Sequence, residues 1–169
     1  SGLPAWKDEL DAIVGARAYG QSEEILPRLR KLDARHPNVA EINYQLAWTC
    51  DVLDRPKDAL PYYEKAIALG LPPNELSGAL IGLGSTFRAL GQLDRSAEVL
   101  RSGQTQFPAN PEFTVFLSLT LHQQGKAAIG AGIAHVGDAN HGILHMGRKH
   151  IEVFAIERQQ LEVGHAIGL

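Results

Sequence analysis

The stretch LIGLGSTFRALGQLDRSAEVL, residues 80–100, decides the fold. Its three glycines, Gly82, Gly84 and Gly91, admit two readings. In the first, GLGST is a phosphate-cradling loop: glycines let the backbone approach a phosphate, and Ser85 or Thr86 would touch a metal. In the second the segment is helical, and the glycines serve packing and a turn. The phosphate loop fails on three counts. No lysine precedes Ser85, the glycine spacing departs from the G-x-x-x-x-G-K-[ST] pattern, and a repeat register already accounts for Gly84.

That register has a period of 34. Gly125 follows Gly91 by 34 residues, and Asp54 follows Gly20 by 34. Asp54 and Gly91 are 37 apart, so three extra residues, about 74–76, are expected between two units. Pro37 and Pro108 each stand 17 residues after their turn glycine. A period of this length, with two apolar-periodic segments split by a turn, reads as one helix pair per unit. In the second unit a first helix is expected over about 40–53, with Ile42, Leu46, Ala47 and Cys50 at helical spacing. Pro56 suits the first turn of the next helix, over about 57–69, which sets Ala59, Tyr63 and Ala66 on one face. Gly70 is placed as a left-handed cap, and Pro72-Pro73 block continuation.

The composition is that of a chain with a real core: 44% of its 169 residues are hydrophobic. A net charge of −3 from 16 basic and 19 acidic residues does not make a nucleic-acid surface. No run of 18 or more apolar residues is present, so no membrane partner is expected. The single cysteine, Cys50, forms no internal disulfide, and the expected location is the cytoplasm. The opening Ser1-Gly2 reads as the scar of a cleaved tag, so the natural N-terminus is expected to lie elsewhere.

The residues now resemble the tetratricopeptide repeat. Leu83-Gly84, Phe87, Gly91, Ser96, Leu100, Gly103 and Pro108 follow its pattern. The unit before supplies Leu46-Ala47, Cys50, Asp54, Ala59, Tyr63, Ala66 and then Pro72. The unit after supplies Leu117-Ser118, Leu121 and Gly125 and then loses the pattern. The first is degenerate: Ala12-Ile13, Ala16, Gly20, Ile25, Leu29, Leu32 and Pro37. The chain is similar to compact bacterial members of undefined role. The resemblance implies an all-α fold, a right-handed α-solenoid of antiparallel helix pairs. Its array would span 3–144, in units of about 6–39, 40–73, 77–110 and 111–144. Residues 145–169 would form an atypical C-terminal capping helix. Each unit would bury its apolar face against its neighbour.

Catalytic and metal chemistry find little support. Cys50 falls on a packing position, which favours a buried, inert thiol. Glu23 and Glu24 fit the first turn of a helix, where acids favour the macrodipole, with Ser22 expected to help cap it. Five of the seven histidines follow His122; His141 and His145 would share a helix face, but nothing completes a metal site. No cofactor is expected.

In the family the first helix of each pair lines a concave groove that takes peptides. Carried over by register, the groove residues are Leu10, Val14 and Arg17; Tyr44, Trp48 and Asp51; Ile81, Ser85 and Arg88; and Val115, Leu119 and His122. Tyr44 and Trp48 are one turn apart and are not required by the repeat's own packing. An aromatic pair flanked by Asp51 and Arg88 suits an apolar peptide with a polar anchor. Gly82, which the register does not require, is expected to widen this groove opposite Trp48. The carboxylate clamp of chaperone-binding members is not matched, because its positions hold Leu10, Val14, Gln45, Gly78 and Gly82. The expected function is therefore a non-enzymatic module for an unknown protein or peptide. The alternatives are a homo-oligomeric scaffold whose groove is covered by its own C-terminal segment or a second protomer, and a histidine-mediated metal binder.

Overall fold

The computed structural model describes residues 2–17 and 20–132. These form seven helices and, among the described residues, no strand: α1 (Ala5–Arg17), α2 (Ser22–Arg35), α3 (Ala40–Val52), α4 (Pro56–Leu69), α5 (Pro73–Ala89), α6 (Leu93–Gln106) and α7 (Glu112–Gly132). Each helix packs on the next, so that α1/α2, α3/α4 and α5/α6 are antiparallel pairs and α7 opens a fourth position. The all-α architecture and the stacking of consecutive helices agree with the sequence. The expected capping helix over 145–169 and the pair His141 and His145 lie outside the described residues.

The turns within the pairs share one geometry. Gly20, Asp54 and Gly91 have φ of 77°, 58° and 76°. At the third turn the Gly91 N–H donates to Arg88 O at 3.0 Å and the Gln92 N–H to Phe87 O at 2.9 Å. At the second, Asp54 N–H donates to Asp51 O and Arg55 N–H to Cys50 O, at 2.9 and 2.8 Å. This is the Schellman arrangement, which satisfies the last helical carbonyls and needs one left-handed residue. Asp tolerates that conformation better than most side chains. Gly70, with φ 95°, ends α4 as placed.

Three local expectations are corrected. Gly125, the fourth residue in the turn series, does not turn, and α7 runs through it to Gly132. After the other turns a helix start follows at once, marked by Glu23, Pro56 or Asp94; after Gly125 come Lys126-Ala127-Ala128, which favour continued helix. The three extra residues near 74–76 are not a linker: Pro73 opens α5 and they form its first turn. Ser22 is the first residue of α2 and does not cap it; Gln21 holds the cap position without a side-chain bond.

The core lies between the pairs. One cluster runs from Leu10 and Ile13 through Leu46, Ala47 and Tyr63 to Leu83 and Phe87. A second joins Leu80, Ile81, Ala97, Leu100, Phe113, Phe116 and Leu117. Ile67, Leu76 and Val99 pack against both. In α6 the buried set Ser96, Ala97, Leu100 and Gly103 follows the helical repeat. Close approach depends on missing side chains. A Cβ on Gly84 would stand 2.6 Å from Leu100, and one on Gly103 would overlap the ring of Phe113, which stacks on Phe107. Ser96 adds a polar tie, donating to Gly84 O at 2.7 Å and meeting the Thr120 hydroxyl at 2.8 Å.

Two glycine variants should therefore move in opposite directions. Gly103→Ala forces Phe113 out of place and should destabilise by about 1–3 kcal/mol. Gly125→Ala, exposed on a helix with open space around it, should stabilise by about 0.5–1 kcal/mol. Urea denaturation of both variants checks the contrast.

Candidate functional site

The first helices α1, α3 and α5 and the last described helix, α7, carry the twelve residues the register places on the inner face. Leu10, Arg17, Tyr44, Trp48, Ile81, Ser85 and Arg88 are buried. Val14, Asp51 and Leu119 are partly buried, and Val115 and His122 are exposed. Every residue from 42 to 50 is buried, so α3 is enclosed on all its faces.

The physical centre is the pair on α3. Tyr44 and Trp48 have ring centroids 5.8 Å apart. The Arg17 guanidinium sits 5.2 Å from the Trp48 ring centroid, a cation–π distance. It also donates Nη1–H to Gln45 Oε1 at 2.6 Å, and Nη2–H to Gln45 O at 3.1 Å and to Thr49 Oγ1 at 2.5 Å. A planar fork makes these contacts together, which a lysine ammonium could not. Tyr63 of α4 lies 6.4 Å from Tyr44. The aromatic pair thus belongs to the protein's own core, contrary to the expectation that internal packing does not use it.

Gly82 has a different role from the one expected. A Cβ there would overlap the Tyr63 ring, so the glycine seats Tyr63 against α5. So placed, Tyr63 donates its hydroxyl to Asp51 Oδ2 at 2.5 Å. Thr86 of α5 lies 3.2 Å from Asp51 Oδ1 and donates to Gly82 O at 2.8 Å. Burial pushes the Asp51 carboxyl up to about 7, against the two hydroxyls, which favour its charged form. The Tyr63 phenol is pushed well above its usual range by burial and then by the Asp51 charge. Cys50 is fully buried and its thiol is raised to about 11, chiefly by burial. The Ser85 hydroxyl, on the same face, has no hydrogen-bond partner among the described residues.

Asp51 and Arg88 were expected as flanking anchors; the contacts found for Asp51 are Tyr63 and Thr86. Sequence reasoning placed Gln45 on the inner helices only as an unmatched clamp position, and missed Thr49 and Thr86 as members of this face. The signal for them was polar side chains at positions that the helical spacing places among buried apolar ones. Among the described residues no group of three His, Cys, Asp or Glu side chains could hold a metal. No described helix is long and apolar enough to cross a membrane.

A stack of short antiparallel helix pairs with left-handed turns and small residues at its crossings is a helical-repeat protein. Residues 40–143 match the sequence model of the tetratrico peptide repeat family, and the chain belongs to that family. A comparison with curated proteins gave no match. Repeats of this family generally mediate protein–protein interaction.

Two outcomes follow from the geometry. Arg17→Lys should destabilise by about 1–3 kcal/mol, because Gln45 and Thr49 lose charge-assisted partners; thermal and urea melts measure this. Cys50 should react with a thiol reagent at pH 8 more than about 100-fold more slowly in the folded chain than in urea, since burial suppresses both thiolate and access. Absorbance of a released chromophore gives both rates.

Proposed function

We propose that the chain is a non-enzymatic interaction module that takes a peptide or protein segment along the inner face of its first helices. The face comprises Leu10, Val14 and Arg17; Tyr44, Trp48 and Asp51; Ile81, Ser85 and Arg88; and Val115, Leu119 and His122. Membership of the family supports the class of function. The observation that carries the choice of face is its α7 end, where the side chains Val115 and His122 are open beside a row of first helices fixed by the Arg17–Trp48 stack.

One observation favours a second reading, in which the face is already covered. Tyr44 and Trp48 are only 4% and 6% exposed. A groove awaiting a ligand would leave such side chains open. Contacts with Arg17, Tyr63 and the rest of the core account for that burial; in this reading the chain's own C-terminal segment or a second protomer covers what is left open at the α7 end, making the protein a self-associating scaffold.

Val115→Asp separates the two without touching the core, since Val115 is 49% exposed. On the first reading the variant keeps its melting temperature and its oligomeric state, and loses a partner captured by the parent from lysate. A change in molar mass by light scattering favours the second.

A further inference from the structure

Asp51 sits where α3, α4 and α5 meet, and its carboxyl joins one hydroxyl from each neighbouring helix. Protons around it are short by one. Tyr63 has a single hydroxyl hydrogen and spends it on Oδ2. Thr86 also has one, and its nearer acceptor is Gly82 O at 2.8 Å, not Oδ1 at 3.2 Å. The remaining oxygen pair, Thr86 Oγ1 and Asp51 Oδ1, is a good hydrogen bond when Asp51 itself carries the proton and donates it. The ionised carboxylate has about four acceptor sites and, among the described residues, meets at most two donors, so its charge is under-satisfied by the protein at this junction.

We infer that Asp51, Tyr63 and Thr86 form a proton-operated tie between the second and third helix pairs, closed with the carboxyl protonated and loosened when it ionises. The surrounding ionisable groups do not oppose this. Tyr63 is the titratable group from α4. Asp54, in the turn after α3, raises the Asp51 value further. Cys50, beside it on α3, is held neutral by burial. Helix α5 presents the Thr86 hydroxyl, and its Arg88 is buried two residues on. Arg17 of α1 and Tyr44 of α3 act on Tyr63. The shift of Asp51 toward about 7 agrees with the geometry.

The sign of the linkage is fixed. The folded chain holds a proton that the unfolded chain has released, so the tie contributes fully below the ordinary carboxyl range and is lost as pH rises through about 7. The tie lies in the wall of the inner face, but it does not depend on what that face binds.

Carbon-13 NMR titration of the Asp51 carboxyl, with amide hydrogen exchange over residues 82–88, tests it. The expected midpoint lies near 7, and exchange at pH 8.5 exceeds that at pH 5.5 by more than about tenfold after correction for intrinsic rates. Asp51→Asn should abolish that pH dependence. Tyr63→Phe should raise the midpoint further, because the lost bond favours the charged form. A midpoint in the ordinary range near about 4 overturns the tie. So does pH-independent exchange, or a pH dependence that Asp51→Asn leaves intact. The titration of the parent chain decides even if a variant fails to fold.

Discussion

Helix α5 can lie as close as it does to both second helices because two of its residues have no side chain. Gly82 receives the Tyr63 ring from α4, and Gly84 receives Leu100 from α6. The two glycines are separated by one residue, so they open different faces of the same helix. Glycine within a helix costs about 1 kcal/mol relative to alanine, and burial of a single leucine offsets it. Everything stacked on α5 inherits this spacing. The Ser96 hydroxyl reaches Gly84 O through the gap that Gly84 leaves, and Tyr63 reaches Asp51 through the gap that Gly82 leaves.

The same seating explains why the inner face looks as it does. Tyr63 comes from a second helix, yet it ends beside Tyr44 and beneath Asp51, in the row of first helices. Arg17 crosses from α1 to bind the carbonyl and side chains of α3. The face is thus an assembly of cross-helix contacts, and its aromatic centre is held rigid from both sides.

What could be read from the residues alone was whatever is local or repeats. The turns at Gly20, Asp54 and Gly91 were legible because a left-handed residue and a following helix start stand within a few positions of each other. Gly84 was legible because the register pairs it with a second helix. Gly125 misled, since the same residue type stands at the same period without a helix start after it. Gly82 and Asp51 were not legible in their roles. The partners of Asp51 lie 12 and 35 residues away, and whether it meets the farther one, Thr86, depends on how far one pair is rotated against the next. No periodicity records that rotation.

Ile67, Leu76 and Val99 pack against both hydrophobic clusters. Repeat arrays have energies that add along the stack, and weak junctions let them unravel a unit at a time. Here the junction between the second and third pairs is shared by three side chains from α4, α5 and α6. An opening there would expose both clusters together, which couples these helices in unfolding and directs fraying toward the ends.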